Sequence, residues 1–558
     1  MTYKNHLKII PLGGLGEIGR NMTLLEYDNN ILIIDMGLQF PEEDMPGIDY
    51  IIPNTKYLEG KQRNIVGVVF SHGHYDHIGA VPYLVEKLGN PTLYAAPLTR
   101  GIILKRQEEF PNLPKLNIEI IKDGSRLNLG PFHLEFVQVN HNIPDDMAFF
   151  CKTPVGNIFY TSDFKFDPTP TNTKPLDLNR LRELSKRHIL LLMSDSTGAE
   201  SAGHSISENE IEKNLEEIFK KSPNQRIIAA TFSSLINRIQ QLINLAEKYN
   251  RNVIIEGYSM KTNIEISKEL GYIKIPKGIV IKSKNVENLH PSKILVLCTG
   301  AQGEGKAVLM RIANKEHKTI RLKKSDVIIF SSSVIPGNER TVQILKDNLY
   351  RQGAKVYHYK MMDIHAGGHG QIEDLNQMIE IIKPKFFMPV HGHISMLVNH
   401  AEIAKLRGVP EKNIVIAEDG NIINLTRDKI WIDNKTVPSN YIIVDGLGVG
   451  DVGNVVLRDR HAMAEDGMFV MVVVVDAKTG KVKGSPDIIS RGFVYLRESK
   501  ELLRETRKRV INIVEKESGG RGPINWVYVK DGLRNEIGQF LFQKTKRRPM
   551  VLPVIIEI

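Results

Sequence analysis

The chain has 558 residues, 42% hydrophobic and 25% charged, and its formal net charge is +10. This length exceeds one hydrophobic core and favours about three domains. No apolar stretch approaches the ~20 residues that cross a bilayer, and the N-terminus lacks a signal-peptide pattern. With only two cysteines, Cys151 and Cys298, a disulfide framework is excluded, so we expect a cytoplasmic globular protein without a membrane part. The moderate excess of lysine and arginine over aspartate and glutamate fits a polyanionic partner.

Strands and helices alternate over the first 200 residues, which is typical of α/β layers. Strands are expected at residues 8–12, 22–27, 30–35, 66–70, 134–139, 157–160 and 189–193, and helices at 81–88 and 99–109.

The pattern changes near residue 207, where amphipathic helices alternate with short strands and indicate a second α/β module. Histidine and glycine return near His365, so we predict that this module is inserted into the first domain. A glycine-rich joint at 446–453 precedes a strand, a basic helix and a closing strand. The predicted boundaries are 1–205 and 359–440 for the two parts of the first domain, 206–358 for the insert, 441–460 for a linker and 461–558 for a small C-terminal α/β domain.

Gly14, Gly16 and Gly19 match the spacing of a dinucleotide-binding loop, with Asp35 at a suitable distance for the ribose. That function requires a helix directly after the glycines, because its N-terminus holds the pyrophosphate. Here the next element is the strand predicted at 22–27. We therefore interpret the glycines as tight turns packed near a metal centre.

Three histidines and an aspartate fall within six residues, directly after the apolar strand predicted at 66–70. They are His72, His74, Asp76 and His77. Imidazole and carboxylate groups suit zinc or manganese. A short loop at the end of a strand can direct the first pair at one ion and the second pair at another.

Three further candidate ligands follow predicted strands: His141, Asp163 and His391. We predict that His72, His74 and His141 hold one ion, that Asp76, His77 and His391 hold the other, and that Asp163 bridges them. Two divalent ions per subunit, zinc in the first place and manganese as the alternative, support in-line hydrolysis at phosphorus. Asp35 is expected to orient an imidazole rather than to bind an ion.

The order of these residues resembles the metallo-β-lactamase fold, and the insert before the last histidine resembles the β-CASP group of nucleic-acid hydrolases. Further stretches resemble the ribonuclease J family along essentially the whole chain: 11–22, 163–167, 335–339 and 485–493. The resemblance implies an α/β protein: an αββα metallo-β-lactamase sandwich, an inserted β-CASP α/β domain and a small C-terminal α/β domain.

The resemblance also implies a two-metal ribonuclease of RNA maturation and decay. Such an enzyme degrades single-stranded RNA from a 5′-monophosphate end and can also cut internally. Its catalytic residues would be Asp76, Asp195 and His369, with Asp195 supporting His369 as it polarises the phosphate or protonates the departing 3′ oxygen. The family usually has serine at the position of Gly367, and its C-terminal domain supports homodimers and homotetramers.

Several residues are expected to contact RNA phosphates, either in a Gly-rich loop whose N–H groups can cradle an anion or in Ser-rich turns after strands. They are His365, Ala366, Gly367, Gly368, His369, Ser233 and Ser331.

Two other functions remain open from the sequence. One is another metallo-β-lactamase nuclease, either a strict endonuclease or a DNA nuclease. The other is a non-catalytic subunit of an RNA-decay complex, which the complete ligand set disfavours.

Overall fold

The computed structural model describes residues 6–42, 45–335, 337–446, 448–450, 453–494, 499–518 and 524–558. The chain forms two compact units, one of residues up to 40 together with 50–442, and one of residues 41–49 together with 443–558. Among the helices of these ranges, none is both long and apolar enough to cross a membrane.

Two β-sheets in the first unit face each other across the main core. In spatial order, the first sheet contains Ile430–Thr436, Asn421–Leu425, Leu7–Gly13, Met22–Tyr27, Asn30–Ile34, Ile65–Val69, Leu93–Ala95 and Ile118–Ile120. The second contains Phe386–Val390, Ile189–Asp195, Asn157–Tyr160, Met147–Lys152, Phe132–Gln138 and Arg126–Leu129. Side chains alternate along a strand, so Phe149 lies in the core between the sheets while Phe150 lies on the opposite face.

Helices cover the outer faces of this sandwich. Leu178–Ser185, Ile372–Ile382 and Ile394–Leu406 contribute apolar residues to the core that contains Phe150. The half with the eight-stranded sheet carries Tyr75–Ile78, Val81–Leu84 and Pro97–Gln107. Short 3-10 turns lie at Lys56–Leu58, Gln62–Asn64 and Glu411–Asn413. The expected αββα layering is confirmed.

The insert is a parallel five-stranded sheet with helices between its strands, as expected of consecutive β–α units. Its strand order is Asn252–Glu256, Ile294–Cys298, Ile227–Ala230, Val327–Phe330 and Lys355–His358. Its helices are Glu208–Lys220, Ile236–Lys248, Tyr258–Glu269, Val308–Ala313 and Glu339–Arg351, with 3-10 turns at Ser283–Asn288 and Pro291–Lys293. The chain leaves the six-stranded sheet after Asp195 and returns in the adjacent parallel strand, where Asp195 pairs with Val390. The predicted insertion is confirmed.

The second unit has a three-stranded sheet, and two of its three helices, Lys500–Ser518 and Trp526–Thr545, form a core with one face of it. The strands are Asp487–Arg491, Met468–Val475 and Met550–Glu557, and the helices are Asn454–Asp466, Lys500–Ser518 and Trp526–Thr545. A short hairpin pairs Ile442–Asp445 with Gly448–Val449. The sequence predicted two of the strands and one helix. It missed the strand Asp487–Arg491 and the helices Asn454–Asp466 and Trp526–Thr545. The interior of the last helix contains two glycines, which are poor helix formers.

Strand register places the candidate ligands at one edge of the sandwich. Tyr160, Met193 and Met388 are aligned across three parallel strands, so the segments after them end at the same edge. In the other sheet, Ile34 and Val69 are aligned in the same way. Side chains from distant parts of the chain therefore converge there.

Candidate metal centre

The loop after strand Ile65–Val69 carries four candidate ligands and is fixed by backbone hydrogen bonds. Met36 N–H donates to the carbonyl of His77, and Leu38 N–H donates to that of Tyr75. Between them, Gly37 lies so close to the loop that an added Cβ would be 1.6 Å from the carbonyl oxygen of Asp76. Glycine at position 37 therefore permits the packing that positions the ligand loop.

Three imidazoles form the first ligand group. Nε2 of His72 lies 2.9 Å from Nδ1 of His74, which lies 3.2 Å from Nε2 of His141. Nitrogens bound about 2.0–2.1 Å from a common zinc ion are separated by such distances. The carbonyl of Gly368 accepts a hydrogen bond from Nδ1 of His141 at 2.8 Å, which leaves Nε2 of His141 free to bind an ion.

The second group consists of two imidazoles and two carboxylates: Asp76, His77, Asp163 and His391. Oδ2 of Asp163 lies 3.3 Å from Nε2 of His77, and Oδ2 of Asp76 lies 3.6 Å from Nε2 of His391. The other oxygen of Asp163 accepts from Nδ1 of His391 at 2.7 Å.

Asp163 lies between the two groups. Its Oδ2 is 3.7 Å from Nε2 of His72 and 4.0 Å from Nε2 of His141. One carboxylate oxygen is therefore within 4.0 Å of ligand atoms of both groups.

The donor set fits divalent ions. Nε2 of His391 is buried and has no hydrogen-bond partner among the described residues, which is costly unless another group binds it. Burial lowers the pKa of His74 to about 4 and lowers the pKa values of His72 and His141. These imidazoles are therefore neutral at physiological pH, which is the form that binds metals.

Asp35 occupies the position expected of a residue that orients an imidazole. It accepts from Nδ1 of His77 at 2.8 Å and from the backbone N–H of Ser71 at 2.8 Å. A proton on Nδ1 of His77 leaves Nε2 of His77 to face Asp76 and Asp163.

Asp195 and His369 form a pair beside the second group. Nδ1 of His369 donates to Oδ2 of Asp195 at 2.8 Å and lies 4.0 Å from Oδ2 of Asp163. Burial alone would lower the pKa of His369, but the carboxylates of Asp195 and Asp163 outweigh it and raise that pKa to about 9. The hydrogen bond to Asp195 thus favours the protonated form of His369, whose side chain is 23% exposed.

The predicted phosphate-binding residues divide into accessible and buried positions. Gly367 is exposed, and an added Cβ would have only the backbone nitrogen of His369 nearby, at 3.9 Å. Gly368, by contrast, is buried and packed against a ligand, because an added Cβ would lie 2.2 Å from Cε1 of His141. Ala366 is 6% exposed, and Ser233 is half-buried with its carbonyl accepting from Asn263.

Ser331 and His365 do not present free polar atoms to solvent in the way that the sequence suggested. Ser331 is fully buried, and its hydroxyl donates to the carbonyl of Ile364 at 2.7 Å. Arg238 donates to the same hydroxyl and to the carbonyl of Ile364. His365 is 8% exposed, and burial, reinforced by Arg238, lowers its pKa to about 3. The sequence analysis expected Ser331 to contact an RNA phosphate. Its hydroxyl is already hydrogen-bonded inside the protein, so Ser331 supports the 364–369 loop instead.

Three family models match the chain. The metallo-β-lactamase superfamily matches residues 15–183, the ribonuclease J β-CASP domain matches 224–349, and the ribonuclease J C-terminal domain matches 455–558. Ribonuclease J 1 of Streptococcus pyogenes serotype M3 is 39% identical over 99% of this chain and 98% of its own length. Ribonuclease J 2 of Staphylococcus epidermidis and of Staphylococcus aureus are each 38% identical with the same coverage.

The chain belongs to the ribonuclease J family. A crystal structure of an Enterococcus faecalis protein of unknown function is also similar, with a TM-score of 0.55 and 16% identity, covering 75% of this chain and 100% of that one. That likeness concerns the fold alone.

The glycine-rich stretch that resembles a dinucleotide loop has a structural role in this ribonuclease J family member. Leu15–Gly16 pairs with Gly392–His393, next to His391. Gly14 has φ 96°, and a Cβ there would lie 2.3 Å from Oδ1 of Asn21. Asn21 in turn contacts Nε2 of His77 at 3.2 Å, so these turns pack against the ligand loop.

The sequence analysis did not predict two buried charged residues that lie near the candidate ligands. Asp146 lies 3.2 Å from Nδ1 of His72, and Arg238 holds the carbonyl of Ile364. Asp146 directly follows Pro144 and Asp145 in an otherwise ordinary turn signal, and Arg238 lies in an amphipathic helix. Neither position carries a local signal of its role.

Proposed function

We propose that this protein, a metal-dependent ribonuclease of the ribonuclease J family, holds two divalent ions and removes nucleotides from the 5′ end of RNA, with internal cutting as a second mode. The observation that carries this proposal is the convergence of two adjacent ligand groups around Asp163. His369, which is partly exposed beside the same centre and hydrogen-bonded to Asp195, supports it.

In the proposed arrangement, His72, His74 and His141 bind one ion, Asp76, His77 and His391 bind the other, and Asp163 bridges them. Zinc is favoured by the imidazole-rich donor set, and manganese is the alternative. When bound, such a pair lowers the pKa of a water molecule and stabilises the charge that develops in phosphodiester hydrolysis.

We propose that His369 protonates the departing 3′ oxygen. Asp195 accepts a hydrogen bond from Nδ1 of His369 at 2.8 Å and stabilises the protonated imidazole. Asp195 also accepts from the N–H and the hydroxyl of Thr197, so its orientation is fixed from both sides. Fixed orientation of the donor is what general acid catalysis requires.

The loop from His365 to His369 is proposed to bind the RNA phosphate through its backbone. Gly367 is exposed, while Arg238, Ser331 and Ile364 fix the start of the loop from inside. Ser233 is proposed as a further phosphate contact. Little base specificity is expected, because backbone N–H groups bind the phosphate and not the base.

The 5′-end preference is tested with one RNA sequence in three forms: 5′-monophosphate, 5′-triphosphate and circular. Cleavage of the monophosphate form should be about ten- to a hundredfold faster than that of the triphosphate form, since one charged hydrogen-bonded contact contributes about 1.5–3 kcal/mol. A 5′ label should appear in mononucleotides from the earliest time points.

The circular form controls for internal cutting, because it has no end. If it disappears as fast as the monophosphate form, the exonuclease proposal is wrong and a strict endonuclease remains. DNA of the same sequence, degraded at an equal rate, would favour a DNA nuclease instead.

We further propose that the protein forms homodimers or homotetramers through the sheet of the second unit. Every second residue of strand Met468–Val475 is fully buried, and the residues between them, which lie on the opposite face, are apolar and only half-buried. Leu552, Val554 and Ile556 are 38%, 41% and 45% exposed on the closing strand, and Ile489, on the other outer strand, is 39% exposed. Burial of such a face against a second copy would remove apolar surface from water.

Val554→Asp should therefore reduce the oligomer, measured as mass by light scattering. A buried charge without a partner costs at least about 1–3 kcal/mol, and a two-fold interface counts it twice. Val527→Asp is the matched control, since Val527 is 71% exposed on a helix of the same unit. Equal masses for wild type and Val554→Asp would contradict the proposed interface.

We also propose the domain boundaries 1–205 with 359–440 for the metallo-β-lactamase domain and 206–358 for the insert. The second compact unit, residues 443–558 with 41–49, starts close to the proposed boundary at 440, and its helix Asn454–Asp466 overlaps the end of the segment 441–460 that was predicted as a linker. Both cysteines are free and buried, which supports a reducing, cytoplasmic location.

A further inference from the structure

Asp146 is a buried carboxylate beside the first ligand group, with no role in the mechanism described above. It directly precedes the strand Met147–Lys152 and is 1% exposed. Its Oδ1 accepts a hydrogen bond from the hydroxyl of Ser162, while its Oδ2 lies 3.2 Å from Nδ1 of His72. Among the described residues this buried oxygen has no hydrogen-bond partner, because the contact with His72 has the distance of a hydrogen bond but not its geometry.

We propose that Asp146 is a positioning residue that fixes His72 in the orientation and tautomer of a metal ligand. An imidazole binds an ion through one ring nitrogen while the other carries the proton. A hydrogen bond from Nδ1–H of His72 to Asp146 leaves the lone pair at Nε2, the atom that faces His74. Loss of this bond would leave a buried carboxylate oxygen without a donor, which is costly.

The hydroxyl of Ser71 is the competing acceptor, since it also lies 3.2 Å from Nδ1 of His72. Its single proton is directed at Asp35, whose Oδ2 is 2.9 Å away. Ser71 could therefore accept from His72, but only as a neutral group. A carboxylate is a stronger acceptor than a hydroxyl, so a small rotation of the imidazole that directs Nδ1–H at the unpartnered Oδ2 would give Asp146 control of the tautomer.

The same carboxylate supports the turn that carries the bridging ligand. Ser162 has φ 56°, a left-handed conformation that residues other than glycine rarely adopt. Its hydroxyl bond to Asp146 helps to hold this conformation, and the next residue is Asp163. Asp146 therefore connects a ligand of the first ion with the residue proposed to bridge both ions.

This inference rests on the proposed two-ion centre and is tested by metal affinity rather than by activity. Metal-free wild type and variants are titrated with zinc or manganese against a competing chelator, and bound metal is measured by mass spectrometry. Asp146→Ala should bind its weaker ion about ten- to a hundredfold less tightly than wild type. Asp146→Asn should show a smaller loss, because its amide oxygen can face His72 while its NH₂ group faces Ser162.

The matched control is Asp145→Asn. Asp145 is 8% exposed, accepts from the backbone N–H of Leu98 and from the hydroxyl of Tyr272, and has φ 65°, which asparagine tolerates. This variant should bind both ions like wild type. An equal loss in Asp145→Asn and Asp146→Ala would overturn the proposal, because it would indicate a general disturbance of the loop.

The remaining outcomes distinguish a wrong role for Asp146 from a wrong two-ion centre. Wild-type affinity in Asp146→Ala would refute the role of Asp146 while leaving the two-ion centre intact. A wild type that binds no divalent ion would instead refute the proposed function. If Asp146→Ala does not fold, Asp146→Asn must bind metal more weakly than wild type at an unchanged melting temperature of the metal-free form; equal affinity would sink the proposal.

Discussion

His77→Ala is expected to remove one of the two ions and to abolish RNA cleavage. Nε2 of His77 is proposed to bind the second ion, and it lies 3.3 Å from Asp163 and 3.5 Å from Asp76. The substitution also leaves Asp35 without the imidazole that donates to it at 2.8 Å. An ion contributes several kcal/mol to stabilisation of the transition state, so the rate should fall by about a thousandfold or more.

The measurement combines metal content per chain with the initial rate on 5′-monophosphorylated RNA. His393→Ala is the matched control, because His393 is an exposed histidine two residues from His391 and belongs to neither ligand group. It should retain two ions and wild-type activity. A His77→Ala variant that still cleaves RNA would refute the two-ion mechanism, whereas a wild type without activity in zinc or manganese would favour the non-catalytic alternative.

Gly368→Ala is expected to damage the first ligand group without changing any ligand. The added Cβ would lie 2.2 Å from Cε1 and 2.3 Å from Nδ1 of His141. Because carbon atoms cannot approach so closely, either the imidazole or the loop must move. Overpacking of this kind costs about 1–3 kcal/mol. The displaced imidazole of His141 can then no longer bind the same ion as His72 and His74.

The expected result is weaker binding of one ion and a rate at least about tenfold lower, measured as for His77→Ala. Gly367→Ala is the matched control for metal content, because its Cβ would have no neighbour closer than 3.9 Å. It should retain both ions. Wild-type metal affinity in Gly368→Ala would show that the close contact between Gly368 and His141 does not position the ligand.

The sequence predicted much of the fold and the candidate ligands because their signals are local. Apolar runs marked the strands, and polar residues directly after them marked the strand ends, as in Asp163, Asp195 and His391. Parallel strands end at one edge, so residues of this kind converge whatever their separation along the chain. Asp163 and His391 are 228 residues apart, yet each could be selected from its own short window.

Buried partners had no such local signal. Ser331 followed a strand in the expected way, but its hydroxyl is bonded to Ile364 inside the protein. Arg238 looked like one more residue of an amphipathic helix, although it is 2% exposed and holds the loop before His365. Burial and hydrogen bonding depend on neighbours from other parts of the chain.

The sequence by itself determined the family, the αββα architecture with its insert, and a set of seven candidate metal ligands. Those features follow from residue types in short windows and from strand order. Only the tertiary structure decided which oxygen faces which imidazole: Asp35 against His77, Asp146 against His72, and Gly368 against His141. These contacts depend on long-range packing, which brings a buried group within hydrogen-bond distance of a ring nitrogen without leaving any pattern in the sequence around it.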